Sequence, residues 1–206
     1  MSQRVVVVDY GRGNLLSISR ALKHVGAAVE VSADPKTVAS AERLLLPGVG
    51  AFGDGMRGLR ERGLVEPVRA FCAADKPFLG ICLGMQLLMT ESLEFGRHEG
   101  LNLVPGRVVP FPESDFKNGG PKIPHVGWNS LAPSGRETFP AGSILSSLIP
   151  GSWVYFVHSY VAQPANAAHQ AAATFYAGSD FCSVIQAGNI SGCQFHPEKS
   201  GETGLA

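Results

Sequence analysis

Near the N-terminus four valines stand in a row, in the segment RVVVVD at residues 4–9. Such a run has neither the alternating period of a half-buried strand nor the period of a helix, and it is typical of a strand covered on both faces. Strands of this kind lie inside parallel sheets whose two faces carry helices. The chain is therefore predicted to form an α/β fold with this segment inside the sheet.

Helical and strand-like segments alternate through the first half of the chain. Helices are predicted over 14–25, from Pro35 behind an Asp34 cap, and over 56–75; further strands are predicted over 27–32, 42–50 and 76–81. This alternation predicts a mostly parallel, flavodoxin-like sheet with helices on both faces. From about residue 101, shorter β-like pieces between Gly, Pro and Asn predict antiparallel additions at one side of the sheet. Because no linker or repeat interrupts the pattern, we expect a single domain over residues 1–206.

Charge and composition exclude several classes of partner. Seventeen basic residues balance seventeen acidic ones, without a block of either sign, so nothing favours nucleic acid or an anionic membrane surface. No stretch approaches the roughly 18 apolar residues of a membrane span, and the N-terminus enters a strand rather than a signal peptide. We therefore expect a cytoplasmic protein with reduced cysteines, no metal site and no cofactor.

Cys82 lies between two glycines in GICLG, residues 80–84, where one predicted strand ends and a helix is predicted over 83–92. In such a sharp turn a nucleophile is held above the sheet, and small neighbours allow the backbone to bend tightly. The N-terminus of the helix would favour the thiolate. The short motif also fits an ordinary buried cysteine. The other cysteines, Cys72, Cys182 and Cys193, lack such a turn and are expected in the core.

The segment HPE at 196–198 offers partners for this thiol. Pro197 favours extended geometry at the preceding residue, so His196 and Glu198 project to the same side. In isolation the segment also fits a turn with a solvated glutamate. Together with the Cys82 turn it predicts a Cys–His–Glu triad, in which the base is oriented by a carboxylate.

Backbone N–H groups near the nucleophile are the expected source of an oxyanion hole. Leu83, directly after Cys82, supplies one such donor. The glycine-rich PGVG segment at 47–50 ends the neighbouring strand and is expected to aim a second N–H, from Val49 or Gly50. Taken alone, PGVG also fits an ordinary strand-to-loop turn.

GICLGMQ around Cys82 and HPE near the C-terminus resemble the motifs of the triad, or class I, glutamine amidotransferases. LPGVGAFG, KIPHVGWN, YFVHSY and HPEKSG resemble more closely one branch of this family, the glutaminase subunits of imidazole glycerol phosphate synthases. The resemblance extends from DYGRGN at 9–14 to HPEKSG at 196–201. The final GETGLA stops where this branch usually continues into an amphipathic helix, so we expect weaker packing at that edge and an unaffected triad.

The resemblance implies a reaction and its residues. Cys82 would attack the carboxamide of glutamine to form a thioester and release ammonia, and water would then yield glutamate. His196 would protonate the ammonia and activate the water, with Glu198 orienting its ring. Glutamine would be held by a further set of residues: Gln86, Gly48, His158, Ser159 and Tyr160. For His158 and Tyr160, a purely structural role beside the core remains open.

The resemblance also implies a partner, a (β/α)₈-barrel cyclase that uses the ammonia to make imidazole glycerol phosphate and AICAR. Asn14, Trp128 and Lys199 would lie at that interface, although Trp128 also fits a core residue and Lys199 a solvated one. Glutaminase turnover would be slow until the synthase site is occupied. Three other functions stay open: a glutaminase for another acceptor such as chorismate or a nucleotide, a non-catalytic scaffold for the barrel, and a cysteine hydrolase without a partner.

Overall fold

The computed structural model describes residues 3–111 and 122–206. The strands within these residues are β1 (Arg4–Val8), β2 (Ala28–Ser32), β3 (Leu44–Leu46), β4 (Phe78–Ile81), β5 (Glu91–Ser92), β6 (His98–Glu99), β7 (Gly106–Pro110), β8 (His125–Ser130), β9 (Ala132–Pro133), β10 (Trp153–His158), β11 (Tyr160–Pro164), β12 (Gln170–Tyr176), β13 (Ser179–Ala187) and β14 (Ile190–Cys193). The helices are α1 (Leu15–His24), α2 (Pro35–Ser40), α3 (Phe52–Glu61), α4 (Val65–Ala73), α5 (Leu83–Gln86) and α6 (Gly201–Leu205).

The central sheet has the strand order β2-β1-β3-β4-β14-β13-β12-β9. Strands β2, β1, β3, β4 and β14 pair in parallel, whereas β13, β12 and β9 extend the sheet in antiparallel pairs. The predicted mostly parallel sheet with antiparallel additions at one side is confirmed. Since β4 and β14 are parallel neighbours, the residues that follow them emerge at the same edge of the sheet.

The four valines of β1 are buried on both faces of this sheet. Val6 and Val8 pack into one core layer, and Val5 and Val7 pack into the other. This division follows from the alternation of side chains along a strand. The prediction from the uninterrupted apolar run, that both faces of β1 are covered, is therefore confirmed.

Helices cover both faces, but unequally. Helices α2 to α5 contribute buried side chains to the layer that contains Val6, and α1 contributes Ile18 to the opposite layer. The prediction of one helix over 56–75 is wrong, because the chain breaks into α3 and α4 at Gly63, whose φ is +64°. Glycine adopts that conformation without the steric cost that other residues bear.

Two smaller sheets lie beside the main one in the described part of the chain. Strand β10 pairs with β8, and a second sheet has the order β11-β7-β5-β6. The chain passes from one to the other at Ser159, between β10 and β11. This crossing brings the Val157 carbonyl oxygen to 3.9 Å from Cys82 Sγ. Across residues 3–111 and 122–206, none of the helices combines the length and apolarity required to cross a membrane.

Candidate active site

Cys82 forms a strained turn between β4 and α5. Its φ is +54° and its ψ is −109°, a conformation that a residue with a side chain rarely adopts. The surrounding backbone is packed too closely for side chains at the flanking positions. A Cβ on Gly80 would lie 2.7 Å from the Gly84 carbonyl oxygen, and one on Gly84 would lie 1.9 Å from the Leu46 carbonyl oxygen. The glycines thus allow the turn that places the buried Cys82 at the wall of a cleft.

Gly84→Ala tests this packing. We expect the free energy of unfolding to fall by about 3 kcal/mol, because the new methyl group meets rigid backbone. Gly26→Ala is the matched control, since its Cβ would meet nothing within 4 Å and only its φ of +87° is unfavourable, at about 1 kcal/mol. Urea unfolding of both variants gives the comparison. Equal losses would show that the close approach at Gly84 carries no special cost.

The helix after Cys82 is shorter than predicted, since α5 ends at Gln86 instead of continuing to 92. The carbonyl groups that would extend it accept other bonds: Leu101 N–H donates to Leu87 O, and Leu103 N–H donates to Leu88 O, both at 2.9 Å. A one-turn helix has a small dipole. Activation of the thiol therefore depends mainly on neighbouring side chains.

His196 and Glu198 converge with Cys82 at the edge of the sheet where β4 and β14 end. His196 Nδ1 donates to Glu198 Oε1 at 3.0 Å, and the two side chains are only 6% and 2% exposed. His196 and Cys82 line the same cleft. Burial lowers the pKa of His196, but the interactions with Cys82 and Glu198 outweigh burial and raise the pKa to about 9. A protonated imidazole is thus placed to stabilise a thiolate.

The raised pKa of His196 makes stability depend on pH. Its contribution is fully present below pH 6.5, the ordinary pKa, and is lost as the pH rises through about 9. Between these values the free energy of unfolding should fall by up to about 1.4 kcal/mol per pH unit relative to His196→Asn. Urea unfolding of both proteins across this range measures the difference. A difference that is constant or that grows with pH would contradict protonation of His196.

The other three cysteines are buried free thiols. Burial raises the pKa of Cys72 and of Cys182 to about 12, and it raises the pKa of Cys193 well above the ordinary value. A thiol that stays protonated is a poor nucleophile. Cys82 is therefore the cysteine whose surroundings suit catalysis.

A cleft of about 330 Å³ opens over the sulfur. It brings together most of the residues that the sequence points to: Val49, Gly50, Cys82, Leu83, Gln86, His158, Ser159, Tyr160, His196 and Lys199. Glu198 lies behind His196, and Gly48 lies next to the wall that Val49 forms. Its size and its mixture of apolar and polar groups suit a small molecule.

Gln86 is held by two contacts across the floor of the cleft. Its Nε2 donates to Tyr160 O and to Gln194 Oε1, both at 3.0 Å. Gln194 Nε2 in turn lies 3.8 Å from Cys82 Sγ. The sequence analysis missed Gln194, although its place two residues before His196 in GCQFHPE is a local signal.

The PGVG segment lies against the nucleophile in a defined orientation. Leu83 N–H donates to the Gly48 carbonyl oxygen at 3.4 Å. Because the carbonyl and N–H of a trans peptide point in opposite directions, the Val49 N–H points away from Leu83. Tyr10 Oη donates to the Pro47 carbonyl oxygen at 2.6 Å and fixes the preceding peptide. In this arrangement the Gly48 carbonyl oxygen accepts the Leu83 N–H, so that this donor is already used.

Glu94 adds a carboxylate to the cleft wall that the sequence analysis did not single out. Its Oε2 accepts the Phe52 N–H at 2.6 Å. Burial, the largest influence, raises the pKa of its carboxyl group. No local motif marks this residue, because it lies in a polar loop and reaches the cleft only through the pairing of β5 with β7.

The three residues assigned to a partner interface occupy different surroundings. Asn14 Oδ1 caps α1 by accepting the Ser17 N–H at 3.4 Å. Trp128 is 51% exposed, and its ring meets the Tyr155 ring at 6.1 Å. Lys199 Nζ lies 5.9 Å from the centre of the same Tyr155 ring. Tyr155, which the sequence analysis quotes only as the first residue of YFVHSY, therefore connects Trp128 with a residue of the cleft.

Comparisons with known proteins agree with this geometry. The profile of the family described as "Glutamine amidotransferase class-I" matches residues 6–205. The chain is 48% identical over 202 residues to "Imidazole glycerol phosphate synthase subunit HisH 1" of Legionella pneumophila (strain Paris), which covers 98% of this chain and 95% of that protein. It is 47% identical over 203 residues to the subunit HisH of Geobacter metallireducens, which covers 98% and 94%.

Solved structures share the fold. "Structure of PurLQS from Thermotoga maritima" gives a TM-score of 0.73 at 19% identity and covers 100% of this chain and 95% of that chain. "Crystal structure of glutamine amidotransferase" gives a TM-score of 0.71 at 17% identity and covers 97% and 94%. At such identities the likeness concerns the fold alone.

Proposed function

The chain belongs to the class I glutamine amidotransferase family, and on that premise we propose that it is the glutaminase subunit of an imidazole glycerol phosphate synthase, in histidine biosynthesis. The observation that carries this proposal is that Cys82 and His196 line one cleft, with Glu198 bonded to His196 behind it, in a chain that is 48% identical to such a subunit over 98% of its length. Glutamine is the substrate, and ammonia is the product that a cyclase partner consumes.

The positions of the three side chains support the following reaction. Cys82 Sγ attacks the side-chain carbonyl carbon of glutamine, and the C–N bond breaks as His196 gives its proton to the departing ammonia. The resulting γ-glutamyl thioester is attacked by water, which transfers a proton to His196. Glutamate leaves and the thiol is restored. Glu198 holds the ring through Nδ1 at 3.0 Å, so that the other ring nitrogen serves the proton transfers.

The negative charge of the tetrahedral intermediate requires donors that the resting arrangement does not offer. Leu83 N–H is bonded to Gly48 O, and Val49 N–H points away. Rotation of the Gly48–Val49 peptide would release the first donor and aim the second, with Gly50 as hinge, since its φ is +98°. The rotation is coupled to occupancy of the partner's site, which keeps glutamine from being hydrolysed unproductively.

Glutamine is held by polar groups of the cleft. Gln86, His158, Ser159 and Tyr160 line it, and Gly48 lies next to Val49 at the reacting end. The Glu94 carboxylate has the charge that suits the α-ammonium group. Each of these groups binds the part of glutamine that does not react.

The partner is a (β/α)₈-barrel cyclase that docks over the face carrying Trp128 and Lys199, with Asn14 at its margin. Exposed tryptophan is enriched among the residues that dominate interface affinity. Trp128 and Lys199 both contact Tyr155, and Lys199 also lines the cleft. A displacement of Trp128 on docking can therefore be transmitted to the cleft through these contacts. A protected passage is required because ammonia released into water at neutral pH is protonated and loses its nucleophilic lone pair.

Transfer of nitrogen from amide-labelled [¹⁵N]glutamine tests this function. With the purified barrel cyclase and its nucleotide substrate, we expect the label to enter the imidazole product. Chorismate-dependent and nucleotide-dependent acceptor synthases are the comparison arms, and label transfer to one of those in place of the barrel product would favour the other acceptor. Complex formation without glutamate release would favour the non-catalytic scaffold. Equal glutamate release with and without the barrel would favour an independent hydrolase.

A further inference from the structure

Two buried histidines outside the triad contact each other beneath the cleft. His125 of β8 and His158 of β10 are 2% and 6% exposed, and His125 Nδ1 lies 3.1 Å from His158 Nε2. The His125 ring stacks between Tyr176, at a centroid distance of 3.8 Å, and Phe156, at 4.9 Å. Apolar rings would fill this part of the core without the cost of burying polar nitrogen atoms. The hydrogen bonds of the two histidines therefore require a role beyond packing.

The partners of the pair determine which nitrogen carries each proton. His158 Nδ1 lies 3.0 Å from Tyr160 O, and a carbonyl oxygen only accepts, so Nδ1 is the protonated nitrogen of a neutral ring. His158 Nε2 then accepts, and His125 Nδ1 must donate to it. Burial lowers the pKa of His125 to about 4 and that of His158 to about 3, so both rings are neutral near pH 7.

The hydrogen bonds of Asn129, at the other end of this series, agree with the same assignment of donors and acceptors. His125 Nε2 is left as an acceptor, and Asn129 Nδ2 lies 3.5 Å from it. The Asn129 amide is oriented independently, because its Nδ2 donates to Phe175 O at 2.9 Å and its Oδ1 accepts the Ser130 N–H at 2.8 Å. The assignment of donors is therefore consistent from Asn129 to Tyr160.

Tyr160 O connects this chain of bonds to the nucleophile. The same carbonyl oxygen accepts from Gln86 Nε2 at 3.0 Å, so both of its lone pairs are used. Gln86 continues to Gln194 Oε1, and Gln194 Nε2 reaches Cys82 Sγ. An uninterrupted series of donors and acceptors thus extends from β8, which also carries the exposed Trp128, to the sulfur.

We propose that His125 is a positioning residue for the glutamine site: by donating to His158 Nε2, it holds His158 in the tautomer that fixes the Tyr160 carbonyl and, through it, Gln86. This inference rests on the proposed function. Without the His125 donor, the lone pair of the buried His158 Nε2 has lost its partner, and the ring is no longer held from this side. A shift of the ring that re-pairs Nε2 would weaken the bond from Nδ1 to the Tyr160 oxygen and displace the segment that lines the cleft.

Two variants separate the hydrogen bond from the packing. His125→Phe keeps a ring between Tyr176 and Phe156 but removes the donor. His125→Asn loses the ring and places an amide near the position of Nδ1. In the complex with the cyclase, we expect His125→Phe to raise KM for glutamine about tenfold, from the loss of one buried hydrogen bond, and to change kcat less, since the bond acts in ground and transition states alike. We expect His125→Asn to restore KM to within about threefold of wild type.

The opposite order contradicts the inference: wild-type KM in His125→Phe with a raised KM in His125→Asn means that only packing matters. Synthesis from added ammonium reports whether each complex remains intact. Should His125→Phe fail to fold, ¹⁵N–¹H correlation of the imidazoles in the unaltered chain decides. Nδ1-protonated tautomers for both rings support the inference, and an Nε2-protonated His158 overturns it. A wild-type complex that releases no glutamate would contradict the proposed function, whereas the tautomers are measured without turnover.

Discussion

Cys82→Ala is expected to abolish synthesis from glutamine while synthesis from added ammonium continues at the wild-type rate. Loss of the nucleophile removes the thioester pathway, and losses of about 10⁴-fold or more are usual for such variants. The cyclase site does not depend on this sulfur, so ammonium supplied from solution bypasses the defect. Coupled turnover with each nitrogen source gives the two rates.

Cys72→Ala is the matched control, because Cys72 is also a buried free thiol but lies in α4, away from the cleft. It should support synthesis from both nitrogen sources. Glutamine-dependent synthesis that persists in Cys82→Ala would contradict the mechanism. Loss of both activities would show that the substitution disturbs the complex and not the chemistry alone.

Glutamate release by the isolated chain should be slow and should rise by about 10² to 10³ when the cyclase and its nucleotide ligand are present. This is the range associated with one oxyanion donor, and the structure holds the Leu83 donor against Gly48 O. Steady-state glutamate assays with the chain alone, with the barrel, and with the ligand-bound barrel measure the effect. The increase should appear in kcat more than in KM, because the donor acts on the transition state.

Hydrogen exchange at the Leu83 amide tests whether this N–H changes its acceptor on activation. The amide should change its protection when the ligand-bound barrel is added, since its acceptor changes from Gly48 O to bound substrate. Equal turnover with and without the barrel, together with unaltered exchange, would contradict a peptide rotation as the source of activation.

Local sequence patterns predict the parts of this protein that local chemistry determines. The four valines of β1 indicate burial on both faces, and the glycines around Cys82 mark the tight turn. The HPE segment places an imidazole and a carboxylate on one side of the chain. Each of these signals lies within a few residues, and the structure brings them together because β4 and β14 are parallel neighbours.

The features that sequence reasoning missed depend on long-range contacts. Helix α5 ends early because the carbonyl groups of Leu87 and Leu88, which would extend it, accept from Leu101 and Leu103. Glu94 reaches the cleft through strand pairing, and Tyr155 joins Trp128 to Lys199 across separate segments. The orientation of a single peptide in PGVG is likewise invisible in a list of residues, since glycine permits several conformations.

Covalent labelling tests the central claim most directly. A glutamine analogue with an electrophilic carbon in place of the carboxamide should react with one thiol of the complex, and excess L-glutamine should prevent the reaction. Mass spectrometry of the digested chain identifies the labelled cysteine. We expect a single adduct on Cys82; an adduct on Cys72, Cys182 or Cys193 with Cys82 unmodified would contradict Cys82 as the nucleophile.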